Sequence, residues 1–475
     1  MAQTYDDPFR VSLDTLIGAS MVLGHRLEDR TSVRDSQDPE IVATVQQRST
    51  RPLRGASQQR LFAVAPLDVL VTERDGRKAF HIIELNGAGI GGLTNLSADA
   101  VGAVLQTFQQ VAATTPRDGT PPLIMVASSG LESEHQPRLN RLIYEKVLYA
   151  EALRRGYVEA GAVPMVNTVN QVREAPWEIQ HDRPTIVLGY MKQFLRNLSE
   201  DDEGRLWMFG RQATGAVNDR FCLNIVHEHP SVDLGALQTM NRCFVAGADK
   251  SAGYALINDY LAGAPSRITS PTRFTLAHDR NQLIGTVLEW LAKGHRAVIK
   301  PRGTGLGHGI EFFLSANEPE ARIIDRIDGS LTTTERFYGL TGGALPYTVC
   351  EFLDTATIRQ EGHPMFGHKY EIRIVVYRDG TTLKAFPSIV KVSSQVYHED
   401  SPTHLSLINN ITASSSATLT AGVDHMMPLC RQSTLDLLDL TVDDLAAVSE
   451  LATGVIGFVL DQLEDQPARL GLPTA

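Results

Sequence analysis

The sequence predicts an α/β protein built of α+β lobes, and three observations carry that reading. Between about 120 and 245, short apolar β-prone runs alternate with helical stretches, the pattern of a parallel sheet with crossover helices. From Tyr347 onward, β-prone runs follow one another directly, which suits antiparallel pairing. A glycine-rich turn from Gly303 to Gly309 joins two strand-like runs rather than a strand and a helix.

The chain has 475 residues, too many for one small core, so two or three lobes are expected. At 43% hydrophobic and 21% charged it has the composition of a globular protein, which excludes collagen-like and mainly disordered chains. Its net charge of -11 argues against nucleic-acid and anionic-membrane partners, while leaving room for a local basic pocket. No apolar run is long enough to span a bilayer, and the start, MAQTYDDPFRV, lacks the basic and apolar regions of a signal peptide. Cys222, Cys243, Cys350 and Cys430 have no zinc-knuckle or redox spacing and read as reduced thiols. A cytoplasmic location is expected.

Element by element, Arg48 to Arg60 reads as a loop or mobile arm. Asp68 to Thr72 and Ala79 to Leu85 read as a hairpin around Asp75-Gly76, followed by a glycine-rich turn from Gly87 to Gly92. Leu123 to Ala127 is a buried-type strand ending in Ser128-Ser129-Gly130, which could hold a substrate carboxylate or simply cap a helix. A helix from Arg138 to Arg155 and strands at Gly161 to Val166 and Thr185 to Leu188 complete the parallel pattern, and Glu200 to Gly204 reads as an exposed acidic loop. His227-Glu-His229 offers two imidazoles on one strand face, but without a third ligand a surface turn before Pro230 is favoured over zinc. Further on come a helix from Ser251 to Ala262, a strand at Phe274 to Leu276 and a helix from Asn281 to Lys293. Strands at Ala297 to Lys300 and Ile310 to Leu314 flank the glycine turn. Tyr347 to Leu353, Glu371 to Tyr377 and Thr382 to Lys391 form an antiparallel-looking set, and Thr441 to Leu463 is helical.

The chemistry concentrates in Lys300-Pro-Arg-Gly303-Thr-Gly305-Leu-Gly307-His-Gly309. Glycines let backbone N–H groups approach an anion, and Lys300 sets a positive charge at the strand end. The Walker arrangement is excluded because no Gly-Lys-Ser/Thr leads into a helix. Alternation places Lys369, Glu371 and Arg373 on one strand face, a set suited to phosphates; an exposed ion-paired strand is the alternative. Near the N-terminus, the hairpin can bring Asp68 opposite Glu84, with Asn86 on the same face as Glu84, giving hard oxygen donors of the kind magnesium takes.

The Lys-Pro strand and glycine-rich lid resemble the ATP-grasp superfamily. The resemblance implies that Lys300 and Lys250 hold ATP phosphates, that Gly303, Gly305, Gly307 and Gly309 form the lid, and that Glu351 and Leu353 hold adenine, with Asp354 a candidate for ribose. Lys250 could otherwise be a solvated helix-start lysine, and Tyr347 to Leu353 a plain buried strand. His368-Lys369-Tyr370-Glu371-Ile-Arg373 resembles a run in tubulin-tyrosine-ligase-like ATP-grasp enzymes. By that likeness Glu371 belongs to the nucleotide site, and Arg373, Lys391 and Asn410 are catalytic. Glu84-Leu-Asn86, lying before the lysines, resembles the eukaryotic-type glutathione synthetases, which are circularly permuted; Asp68, Glu84 and Asn86 would then bind magnesium, in all two ions. The sequence departs from that family at Thr304, where a further metal-binding Glu is expected, and it lacks a good match to the family's late glycine loop.

The resemblance therefore implies a circularly permuted ATP-grasp fold with an inserted parallel α/β substrate lobe. Residues 1–118 would carry the metal hairpin, 119–245 the substrate lobe, 246–346 the small nucleotide subdomain, and 347–475 the large subdomain with the C-terminal helices. The implied activity is an ATP-dependent carboxylate–amine ligase that joins amino acids or short peptides through an acyl phosphate. An ATP-binding scaffold protein and a kinase that stops at a phosphorylated product are the alternatives. The expected partners are a small-molecule acid and amine, with a homodimer left open. The permutation makes one geometric demand: the Asp68–Asn86 hairpin must extend the sheet that holds Glu371 and Lys391, close to Lys300.

Overall fold

The computed structural model describes residues 37–74, 76–87, 98–114, 120–128, 136–174, 182–217, 219–302, 307–338, 345–408 and 425–465. The turn from Gly87 to Gly92 lies outside them except for Gly87, as do Ser129, Gly130, Gly303, Gly305 and Asn410.

The chain is a mixed α/β structure whose centre is a six-stranded antiparallel sheet. The strands run in the order Arg51–Pro52, Thr382–Val396, His368–Asp379, Val64–Arg74 and Arg77–Leu85, with Met426–Pro428 also paired to Thr382–Val396. The N-terminal hairpin thus extends the sheet of Glu371 and Lys391, as the sequence reading required. One face of this sheet buries Val69, Val71, Ile372 and Ile374 against the helices Pro39–Ser49, Lys250–Gly263 and Val442–Asp465. Val455, Ile456 and Val459 of the last helix are fully buried there, since its apolar residues recur at helical spacing along the sheet-facing side.

The hairpin carries a β-bulge at Ile83. Asp68 pairs with Glu84, but Val69 pairs with Ile82, so one extra residue sits on the second strand. Ile82 and Leu85, three positions apart, therefore both enter the core, while Glu84 turns to the opposite face beside Asp68.

A five-stranded sheet, all parallel, has the order Gln238–Thr239, Gly215–Val217, Leu123–Ser128, Thr185–Tyr190 and Met165–Thr168. The helices Ala98–Thr114 and Gln136–Glu159 fill the space between it and the antiparallel sheet, in a core that joins Phe108 and Ile186 to Val375 and Phe386. A four-stranded sheet, in the order Phe274–Ala277, Tyr347–Glu351, Ala297–Pro301 and Glu311–Phe313, packs on the helices Arg280–Ala292 and Glu320–Tyr338.

Several sequence expectations change. Arg48 to Arg60 is not an arm: it holds the end of the helix Pro39–Ser49, the edge strand Arg51–Pro52 and the helix Ala56–Leu61, tied down where Arg51 and Arg54 pair with Asp461. Tyr347 to Leu353 does not join Glu371–Tyr377 and Thr382–Lys391. Its strand pairs instead with the Lys300 strand and Phe274–Ala277, because its apolar residues fill the small sheet's core. The strand expected at Gly161 starts only at Met165, after a turn with Gly161 at φ 82°. His227 lies in the last turn of the helix Asp219–Glu228, not on a strand, and His229 lies 3.6 Å from Glu200. The acidic loop is exposed only at Asp202 and Glu203, Glu200 ending a short strand and Gly204 being buried. Among the described residues, no helix is long and apolar enough to cross a membrane.

Candidate functional site

The site grows from a row of charges across three adjacent strands. Glu84, Asp68 and Arg373 are direct neighbours in register, and one step along the sheet Glu371 pairs with Lys391. Cross-strand partners share a face, so register alone gathers these side chains. Arg373 grips Asp68 with two bonds, Nε to Oδ1 at 2.8 Å and Nη2 to Oδ2 at 2.9 Å. Lys391 Nζ lies 3.1 Å from Asp68 Oδ1 and also pairs with Glu371. Asn86 Nδ2 donates to Asp68 Oδ2 at 2.9 Å.

Asp68, Glu371 and Lys391 are buried and Arg373 nearly so, and for Asp68, Glu371 and Arg373 protonation follows from burial set against partner charge. Burial pushes the Asp68 carboxyl up, but Arg373 and Lys391 together hold it well below the usual carboxylate range. For Glu371, burial outweighs the attraction of Lys391, and Asp68 adds repulsion, so its carboxyl is raised. Arg373 is desolvated, yet the Asp68 carboxylate more than offsets this and raises its value.

A second group adjoins the first. Lys250, in the first turn of the helix Lys250–Gly263, is buried and ion-paired to Glu84. One turn later on that helix, Tyr254 accepts a hydrogen bond from Lys300 Nζ at 2.7 Å, with the ammonium 5.2 Å from the ring centroid. Burial holds the Tyr254 hydroxyl well above its ordinary value, with Cys350, Glu84 and Glu351 adding to the effect. Glu84 thus acts electrostatically on both Tyr254 and Arg373, and it links the lysines to the row of charges. The lysines and the row meet where the antiparallel sheet approaches the small sheet. Ile83, Phe274, Ile310, Phe312 and Phe352, all partly buried, surround Tyr254, Val298 and Cys350 there.

The remaining expected residues fall around this junction. Glu351 ends its strand and accepts the Arg273 backbone N–H at 2.7 Å, and Leu353 is half-buried. Asp354 is held by Lys369 at 2.7 Å and by Arg296 at 3.3 Å; burial opposes ionisation, but Lys369 prevails and lowers its value. Lys369 therefore serves Asp354, and only Glu371 and Arg373 of the expected trio meet at the row. Gly307 and Gly309 have φ of 73° and 70°. A Cβ on Gly309 would lie 2.2 Å from Thr334 Oγ1, so glycine is required there. Gly303, Gly305 and Asn410 lie outside the described residues.

Magnesium is the metal to test against this geometry. Glu84 and Asn86 supply hard oxygen donors at one strand end and fit it. Asp68 does not, because both of its oxygens are taken by Arg373, Lys391 and Asn86; it is the counter-ion of Arg373 and Lys391. Among the described residues, no three His, Cys, Asp or Glu side chains group as a metal-binding set.

Sequence reasoning missed Tyr254, Asn241 and Arg302. Tyr254 had a signal, since it is four residues from Lys250 and so on its helix face. Asn241 Nδ2 donates to the Asn86 carbonyl at 2.8 Å, and Arg302 Nε lies 3.2 Å from Asp249, the N-cap of the Lys250 helix. Neither contact has a local pattern in the sequence.

No family model matches the chain, and the search of curated proteins finds no match. Among solved structures it is similar to a glutathione synthetase-like effector from Globodera pallida in its apo form. The identity is 14% and the TM-score 0.35, over 82% of this chain and 84% of that one. A likeness this distant carries no weight for the reaction.

Proposed function

We propose that the chain is an ATP-dependent carboxylate–amine ligase with a circularly permuted ATP-grasp fold. It joins amino acids or short peptides through an amide bond and releases ADP and phosphate. One observation carries the reading: Lys250, Lys300, Arg373 and Lys391, from separate elements, gather with the oxygen donors Glu84 and Asn86 at one junction between two sheets. A purely structural site has little use for four cations in so small a space, whereas a triphosphate does.

The order of elements supports the permutation. The hairpin precedes, by some three hundred residues, the strand it pairs with, and the small sheet lies between them in sequence. In this reading 1–118 and the chain after the Tyr347–Glu351 strand jointly form the large subdomain, 246–346 together with that strand the small one, and 119–245 the substrate lobe. Lys250 and Lys300 hold phosphates, Lys300 leaving Tyr254 to do so. Glu84 and Asn86 would hold magnesium, which supplies charge neutralisation along the triphosphate. Arg373, oriented by Asp68, faces the oxygens of the phosphoryl group as it passes to the substrate carboxylate. The partly buried Phe274, Phe312 and Phe352 beside Glu351 and Leu353 would supply the apolar contacts for adenine. The lid after Lys300 keeps water from the acyl phosphate until the amine attacks.

The test is a panel of acids and amines scored for ADP release and product mass. Release that needs both an acid and an amine supports the ligase. Release with acid alone, together with a phosphorylated product, indicates a kinase, and ATP binding without release indicates a scaffold.

A further inference from the structure

Three arginines among the described residues are buried: Arg211, Arg242 and Arg378. Arg211 donates to Thr185 Oγ1 at 2.6 Å and to the Pro121 carbonyl at 2.8 Å. Arg378 Nε donates to the Phe62 carbonyl at 3.0 Å. Arg242 is only 7% exposed, and among the described residues its guanidinium has neither a hydrogen bond nor an ion pair; Nη1 is buried with no acceptor among them. Its ionisable neighbours are Cys222, Asp233 and Cys243, and burial lowers its value despite them. The Asp233 carboxylate accepts the Gly235 N–H at 2.7 Å instead. A buried guanidinium without a partner is among the costliest groups a fold can carry.

The position of Arg242 points to a ligand. It follows the strand Gln238–Thr239, which runs parallel to Gly215–Val217, so it stands at the carboxyl edge of the parallel sheet. Cys222 is in the first turn of the helix that leaves the same edge. Ligands of open parallel sheets bind at that edge. Asn241, the preceding residue, holds the Asn86 carbonyl, which ties the Arg242 segment to the end of the Glu84–Asn86 run.

We propose that Arg242 anchors a carboxylate of the acid substrate, distinct from the one that is activated. The substrate class is then an acid with a second carboxylate, such as an acidic amino acid or a peptide that carries an acidic side chain besides its C-terminal carboxylate. The ligand's identity as the acid substrate rests on the ligase reading; the anion site itself does not. A guanidinium offers two parallel N–H groups to a carboxylate, which suits positioning better than a point charge would.

The test uses the full chain without ATP. Thermal melts are recorded for the parent, Arg242→Met and Asp233→Asn, in chloride and with succinate, L-glutamate or inorganic phosphate at equal ionic strength. In chloride, Arg242→Met should melt at or above the parent, because it removes an uncompensated buried charge. Succinate or glutamate should raise the parent's midpoint more than phosphate does, and Arg242→Met should lose that rise. By titration calorimetry the loss should be about tenfold to a hundredfold in affinity, as expected when a charged hydrogen-bond partner is removed. A lower midpoint for Arg242→Met in chloride would mean a structural partner and overturn the proposal. A comparable fall for Asp233→Asn would name that partner as Asp233, with the same consequence. Stabilisation by phosphate equal to that by the carboxylates, or by no anion at all, would also overturn it. Failure of the ligase reading would show differently, as no ADP release with any acid and amine while the carboxylate effect persists.

Discussion

Asp68→Asn separates the two roles open to this residue. The buried group holds two negative charges, Asp68 and Glu371, against two positive ones, Arg373 and Lys391. Asparagine keeps the size but leaves one positive charge uncompensated, and its amide can accept through one oxygen only. Asp68 is 5% exposed, so water does little to screen the loss. Removing one partner of a buried ion pair costs about 3–5 kcal/mol, and a value in that range is expected from urea unfolding followed by circular dichroism. In an Arg373→Met background the same change should cost much less, because the two residues act as a pair. The pH dependence has a definite sign. The Asp68 carboxyl lies below its ordinary value in the folded protein, so its contribution is present above the unfolded pKa and is lost as pH falls through the lower folded one. The parent should therefore lose stability below about pH 4, whereas Asp68→Asn should show a flatter acid limb. ADP release should fall without any change in the magnesium concentration that gives half-maximal rate. A variant within about 0.5 kcal/mol of the parent, the size of an ordinary surface change, or one whose magnesium requirement rises while stability holds, would refute the counter-ion role.

Three other changes probe the remaining parts of the site. Glu84→Gln should abolish ADP release and raise the magnesium requirement, at some cost in stability because it leaves the buried Lys250 without its counter-charge, though a smaller one than Asp68→Asn since the Glu84 side chain is itself 28% exposed; normal turnover at saturating magnesium would remove it from the metal site. Lys300→Met should weaken ATP binding about tenfold to a hundredfold, measured by calorimetry, whereas Tyr254→Phe, which removes only the resting partner of Lys300, should leave affinity unchanged or higher. Gly309→Ala should cost at least about 1–2 kcal/mol in urea unfolding from the left-handed backbone alone, and more from the contact with Thr334; an unchanged midpoint would show that the turn relaxes freely.

What the sequence made legible was mostly local. The hairpin, the Lys300 strand and the parallel lobe each announce themselves by period and turn residues, and each appears near its expected place. Which strands pair is a different matter. Tyr347 to Glu351 has the same β-prone character as Glu371 to Tyr377, and nothing local says that one belongs to the small sheet and the other to the large. Lys369 was grouped with Glu371 and Arg373 by alternation, but its ammonium reaches Asp354 instead, at 2.7 Å. The pairing between His368 and Tyr370 slips against the neighbouring strand, and alternation read from one strand does not register such a slip. The segment before the hairpin read as a loop for its Arg, Ser and Gln content, yet Arg51 and Arg54 bind Asp461 on the last helix, a contact made across the length of the chain.

The bulge at Ile83 is the point where fold and chemistry depend on each other most directly. Under strict alternation, Ile82 and Glu84 would share a face, and the Glu84 carboxylate would enter the apolar core that holds Phe80 and Ile82. One inserted residue reverses this. Ile82 and Leu85 both stay in the core, and Glu84 emerges on the side of Asp68, within reach of Lys250 from a different helix. The same displacement sets Asn86 against Asp68 and leaves its carbonyl for Asn241. The run Ile82-Ile83-Glu84-Leu85 hardly alternates, so its weak strand pattern is itself the trace of the bulge. A carboxylate that must meet a lysine from one element and an arginine from another needs such an irregularity, because an ideal strand would offer it only to the core.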